Sequence, residues 1–213
     1  NGLSITGSTT TIIRLNSANT DWAGFSGGLA VTQGVLAPQA GNYNYTTNAV
    51  TANKVLPTDE RLTLGATGTT DFNLSSGRDV AVGSLAGNSN SYVYNSSTGA
   101  SFAVLAVGND NSSGAVFGGT IGNNSGGTAG SNILHLHKIG GGAQDISGKI
   151  TGPGNVVVVN GTLKLSNSAN NNDYTGTTTI NSGATLKIGT ANALGATGTS
   201  SATTLNAGTF DLN

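Results

Sequence analysis

The string NSAN stands at Asn16 to Asn19 and again at Asn167 to Asn170, followed by Asp21, Trp22, Ala23, Gly24 in the first copy and Asp173, Tyr174, Thr175, Gly176 in the second. A second string, LGATGT, runs from Leu64 to Thr69 and returns from Leu194 to Thr199, in the same order relative to NSAN. A chain that repeats itself builds by stacking like units on like, which narrows its folds to arrays and solenoids. Asn-Gly opens both units, at Asn1 and at Asn160. The expected organisation is one solenoid domain over residues 1–213, with a first module 1–159 and a truncated second module 160–213. Gly208 to Asn213 reads like Gly68 to Leu74, so the pattern calls for a further strand where the chain stops. The expectation is a window of a longer polypeptide, or an open end completed by a neighbour.

No stretch of ten residues combines helical apolar spacing with freedom from Gly and β-branched residues. Strand signals recur instead: Thr11 to Leu15, Leu29 to Val31, Arg61 to Leu64, Val80 to Val82, Tyr92 to Tyr94, Phe102 to Val107 and Val116 to Ile121. They continue at Ile133 to Ile139, Val156 to Val159, Thr162 to Leu165, Thr177 to Ile180, Thr185 to Ile188 and Thr203 to Leu205. Gly, Asn and Ser punctuate the joins. Short strands with small polar corners suit a sandwich, a barrel or a solenoid, and the repeat favours the solenoid. At about 20–25 residues per coil the chain makes roughly nine coils, a rod about 40 Å long at the ~4.8 Å spacing of strands. Ala37 to Asp59, with Tyr43, Tyr45 and two of the three prolines, has no counterpart in the second module and is expected to bulge from one face.

Charged residues make up 8% of the chain against about 25% in an ordinary soluble domain. The net charge of −1 and apolar content of 36% argue against disorder, which goes with high charge and few apolar groups. Near-zero charge also removes repulsion between copies and any electrostatic case for nucleic acid. With no cysteine there is no disulfide framework or thiolate metal site. No apolar run is long enough to span a bilayer as a helix.

These residues resemble the autotransporter-associated β-strand repeat proteins, large bacterial surface proteins. Gly161 to Ser166 reads GTLKLS, Asn172 to Gly176 NDYTG, Thr177 to Gly189 TTTINSGATLKIG and Ala193 to Gly195 ALG. In the first module, Val82 to Leu85 (VGSL), Val107 to Ser113 (VGNDNSS) and Gly118 to Ile121 (GGTI) are similar to the family's longer unit, with Leu136 to Gly140 (LHKIG) where LTKTG is common. The resemblance covers most of the chain outside Ala37 to Asp59. It implies an all-β, right-handed parallel β-helix, open ended, and an extracellular or cell-surface location. It implies a shape more than a chemistry.

A search for chemistry yields little. His135 and His137 share one face of a strand while Leu134 and Leu136 share the other, yet two imidazoles fall short of the three or four ligands of a zinc site, and a solvated face is the plainer reading. Asp59 and Glu60 adjoin among nine acids, but neighbours on an extended strand point to opposite faces, so the paired acids of a glycan-cleaving site are not in view. Asp110 and Asp173, each beside asparagines, read as Asx-rich corners rather than calcium loops. Trp22 and Tyr174 occupy matched corners, which suits a cap on the interior better than a sugar platform. Tyr43, Tyr45, Tyr92 and Tyr94 fall outside the repeat and are the candidates for an exposed contact surface.

The expectation is therefore a non-enzymatic structural protein without cofactor or metal. Its partner is itself, through edge strands at the two ends: Thr11, Ile12, Ile13 and Leu15 at one, Thr203, Leu205, Phe210 and Leu212 at the other. The alternative is the passenger or stalk segment of a long adhesin that contacts glycan or a host surface.

Overall fold

The computed structural model describes residues 2–8, 11–15, 25–51, 56–65, 68–75, 77–97, 101–122, 132–167, 172–190, 193–196 and 202–212. Every ladder of its main body is parallel. The first holds β1 (Leu3–Thr6), the start of β3 (Leu29–Pro38), β6 (Leu62–Leu64), β9 (Leu85–Gly87), β12 (Ala115–Phe117), β15 (Ala143–Ile146), β18 (Thr162–Leu165), β20 (Thr185–Ile188) and β22 (Thr209–Asp211). The second holds β2 (Ile12–Leu15), the end of β3, β7 (Thr70–Asn73), β10 (Ser91–Tyr94), β13 (Thr120–Gly122) and β16 (Lys149–Ile150). The third holds β8 (Val80–Ala81), β11 (Phe102–Val107), β14 (Ile133–Lys138), β17 (Val156–Val158), β19 (Thr178–Ile180) and β21 (Thr203–Leu205). From β6 to β17 the chain visits the ladders in strict rotation, which is a parallel β-solenoid. The stack runs without a break across residues 159 and 160, since β18 pairs with β15 below and β20 above.

Alternation explains the burial. Strand side chains point to opposite faces in turn, so each ladder sends every second residue inward, and parallel register stacks like on like. In the first ladder Leu29, Leu62 and Leu85 form one inner column, and Leu163 and Leu186 resume it above. Val31, Leu64, Gly87, Phe117, Ile146, Leu165 and Ile188 form the other. Glycine at 87 is a packing requirement, because a Cβ there would lie 2.8 Å from the Phe117 ring. The second ladder contributes Leu36, Phe72, Val93, Ile121 and Ile150, and the third Leu105, Leu136 and Val156, to one continuous core. Corners turn at glycine: β3 passes from the first ladder to the second at Gly34, whose φ of +106° is open to few other residues.

Three expectations change. The segment read as one strand from Val116 to Ile121 is two, β12 and β13, because Gly118 and Gly119 turn the corner between them. The two LGATGT copies do not mark equivalent places: the strand after the first, β7, stacks in the second ladder, whereas the strand after the second, β21, stacks in the third. Likewise β22, which reads like β7 in sequence, belongs to the first ladder. Finally, the described part of the insertion does not bulge outward. Its hairpin, β4 (Tyr43–Asn44) with β5 (Ala49–Val50), lies against the outer side of the third ladder.

Candidate functional site

The hairpin is held by a second apolar cluster, separate from the solenoid interior. Tyr43 packs there on Ala81, Val104, Ala106 and Ile139. Asn42 docks like a strand: its side chain donates to the Ala81 carbonyl at 3.0 Å and accepts the Ala81 N–H at 2.6 Å, while its N–H and that of Tyr43 donate to the Asp79 carbonyl. The Tyr43 hydroxyl meets His137 Nδ1 at 3.1 Å and donates to Asn48 Oδ1 at 3.1 Å, with His137 Nδ1 3.2 Å from the same oxygen. The set closes when neutral His137 carries its proton on Nδ1. Burial, reinforced by His135 nearby, pulls His137 down to about 4. Burial and then the Asp79 charge push the Tyr43 hydroxyl up, and burial lifts Asp79 to about 6 against the opposing hydrogen bond from the Val104 N–H.

This geometry corrects the contact-surface reading at two of four tyrosines. Tyr43 is only 5% exposed and Tyr94 only 7%. Tyr94 reaches the strand below and donates to Asp71 Oδ2 at 3.1 Å, and burial raises the Asp71 carboxyl although that bond partly offsets it. Tyr92, on the same outer side, is half-buried. Tyr45 is 45% exposed and meets Phe102, 39% exposed, edge to face at 5.1 Å. Phe102 in turn sits 5.7 Å from the His135 ring. The two histidines do share a face, but it is covered rather than solvated. His135 Nδ1 accepts the Asn155 N–H at 2.9 Å, which places its neutral proton on Nε2.

The strands predicted to mediate assembly lie at the two ends. Ile13 and Leu15 pack on the core while Ile12 is exposed on the other side. Thr11 is exposed, and its carbonyl accepts the Val35 N–H. At the other end Thr203, Leu205 and Leu212 are exposed and Phe210 packs partly on the core. Among the described residues, β1 and β2 pair only with β3, β21 only with β19, and β22 only with β20.

Among the described residues, several acids tie neighbouring segments together. Glu60 Oε2 accepts the N–H groups of Gly27 and Gly28 at 3.1 and 3.2 Å. Asp110 accepts from Ser84 and Ser112 at 2.7 and 3.0 Å; burial opposes its charge, but these bonds outweigh it and hold the carboxyl below the usual range. Both line an open groove of about 420 Å³ with Asp59, Arg61 and Ser112. Asp173 pairs with Lys149 at 2.6 Å. Among the described residues no three His, Asp or Glu side chains gather as a metal site. Tyr174 fills the interior, its hydroxyl 2.7 Å from Thr178 Oγ1. Trp22 lies outside the described residues.

Besides Asn42, three more buried polar side chains escaped the sequence reading. Asn172 accepts the Ile150 N–H at 2.8 Å and donates to the Ala193 carbonyl at 2.6 Å, continuing the second ladder with a side chain where strands end. Gln144 accepts the Leu85 N–H and donates to the Leu85 and Ala115 carbonyls, filling the gap between β9 and β12. Lys138, wholly buried, donates to the carbonyls of Ile139, Gly140 and Asn160. Each bears amide or ammonium hydrogens that mimic a peptide donor. Their only sequence signal is a polar residue at an inward position, as Lys138 is after Leu134 and Leu136.

Comparison with family models, with curated proteins and with solved structures found no match.

Proposed function

We propose that this chain is an architectural element, a β-solenoid rod that extends by strand addition at its ends as part of an extracellular bacterial filament or matrix. The observation that carries the reading is the state of the inner columns where the described strands stop. Leu3 is exposed and Ile5 half-buried at one end, and Phe210 is half-buried with Leu212 exposed at the other. Neither end carries a polar cover among the described residues, although solenoids normally hide such edges. Strand edges and apolar columns of this kind can accept further strands by addition. Head-to-tail addition of copies does not close and so propagates. The resemblance to autotransporter-associated repeats agrees with this reading.

Electron microscopy of untreated material beside light scattering of the isolated chain tests it. The expected result is filaments with an axial repeat near the ~40 Å set by strand spacing, lost when Phe210→Glu places a charge in the inner column. Monodisperse particles near 20.9 kDa would exclude self-assembly. They would leave a second reading, a segment of a long adhesin, which the exposed Tyr45–Phe102 pair favours. That pair offers aromatic faces to a sugar, and Tyr45→Ala would then weaken glycan retention.

A further inference from the structure

The turn into β18 brings together Asn160, Gly161 and the buried Lys138. Asn160 is exposed and precedes Gly161, whose φ is +66°. The Gly161 N–H donates to Asn160's own Oδ1 at 2.8 Å, so the backbone nitrogen stands against the side-chain carboxamide. The carbonyl at the other end of that same peptide bond, Asn160 C=O, accepts from Lys138 Nζ at 3.2 Å. Lys138 reaches it from β14 through the buried corner, where its ammonium also holds the Gly140 carbonyl at 2.8 Å. Glycine is required at 161, since a Cβ would lie 2.4 Å from the Gly140 oxygen, and glycine is also the residue that leaves its own nitrogen least obstructed.

An amide nitrogen attacks only after losing its proton, and the negative charge then spreads onto the amide oxygen. A fixed cation hydrogen-bonded to that oxygen stabilises the charge as it develops. A nucleophile already held at the side-chain carboxamide by a hydrogen bond also avoids part of the entropic cost of meeting it. We propose that Asn160–Gly161 is a self-modifying site, with Gly161 nitrogen as nucleophile, Asn160 Cγ as electrophile and Lys138 as the activating cation. Gly161 N–H gives its proton to solvent, and the N–Cγ bond forms as the Cγ–Nδ2 bond breaks. Nδ2 takes a proton from solvent and leaves as ammonia. One water then opens the five-membered imide at either carbonyl carbon, leaving aspartate or isoaspartate. No redox change occurs. The product adds one negative charge beside Lys138. As isoaspartate it also lengthens the backbone where the Gly161 carbonyl accepts the Thr185 N–H and the Thr162 N–H donates to Gly142.

The site has a pH signature. Burial brings Lys138 down to about 8, with Asp110 opposing the shift, so the cation is present at neutral pH and is lost above it. In an unfolded chain the rate climbs steadily with hydroxide; in the folded chain the climb flattens as Lys138 loses its proton.

The test incubates the intact chain at neutral pH, native and in guanidinium chloride. Tryptic Ile150–Lys164 is then followed for the amide-to-acid mass gain and for isoaspartate by isoaspartyl methyltransferase labelling. Asn160→Gln serves as the blank. The expected native rate exceeds the denatured rate about tenfold, equivalent to about 1.4 kcal/mol, and only the native profile flattens near pH 8. A native rate equal to or below the denatured one overturns the proposal, because the fold then merely protects an ordinary Asn-Gly pair. Lys138→Met abolishes the native excess and Lys138→Arg retains it; should the methionine variant fail to fold, the wild-type pH profile decides.

Discussion

The lower and upper parts of the rod solve the same problem with different materials. Up to β16 the solenoid has three walls of strands, and the hairpin of residues 43–50 covers the outside of the third. Above β16 the second wall has no strand among the described residues: the Asn172 side chain bonds the Ile150 N–H and the Ala193 carbonyl, the N–H groups of Asp173 and Thr175 donate to the Ile150 and Gly152 carbonyls, and Tyr174 is buried in the core. Both parts share the apolar columns of the first and third walls, and the upper part adds a buried amide where the second wall has no strand. A backbone group deprived of its partner in a dry interior costs about 1–3 kcal/mol, so the two bonds of the Asn172 side chain carry part of what strand pairing carries below.

Substitutions that strike each device separately probe this contrast. Phe117→Ala has the largest expected effect, about 3–5 kcal/mol, read as a lower midpoint of denaturation, because Gly87 beneath it offers no side chain to fill the void. Asn172→Ala follows at about 2 kcal/mol, since it orphans the Ile150 N–H and the Ala193 carbonyl. Faster hydrogen exchange at Ile150 accompanies it; unchanged exchange there would refute the surrogate-strand role. Tyr43→Phe comes next at about 1 kcal/mol, through the lost bond to Asn48. The same hairpin brings acid sensitivity to the lower part. His137 sits at about 4 when folded against 6.5 when free, so its contribution is intact above pH 6.5 and is lost as pH falls through that range toward 4. Asp79, raised to about 6, acts in the opposite sense, stabilising as pH falls below 6. The His137 share is therefore read as the difference between wild type and His137→Asn across pH 4–6.5. Lys164→Ala, which breaks the partly exposed pair with Asp145 on the outer face, is smallest at about 0.5 kcal/mol and shrinks further with salt.

Much of the fold was legible because the solenoid writes itself in local alternation. Thr162–Leu165 and Thr185–Ile188 have the period of two, the β-branched residues and the bounding Asn and Gly of a strand, and both are strands. Less legible were short strands whose inward residues are separated by polar ones. Thr70–Asn73 and Ala143–Ile146 bear no apolar run, and only their neighbours above and below make them strands. The tyrosines show the limit on the surface side. Tyr43 and Tyr45 differ by two positions in one hairpin, yet one is buried on His137 and the other faces solvent, because the ladder that covers Tyr43 lies far away in sequence. The identical LGATGT strings stand before different walls for a related reason: a corner of Gly, Ala and Thr is compatible with any turn, and the pairing partner decides which turn it is.

By itself the sequence determined the all-β character, the short strands and the stacked architecture, because side-chain alternation and glycine punctuation act within a few residues. The tertiary structure alone decided which wall each strand joins, that the insertion folds down as a cover, and that Lys138, Gln144 and Asn172 replace peptide groups inside the rod. Those outcomes depend on partners distant in sequence, such as Asn160 for Lys138, Leu85 for Gln144 and Ile150 for Asn172, and neither spacing nor composition records which distant group is left needing one.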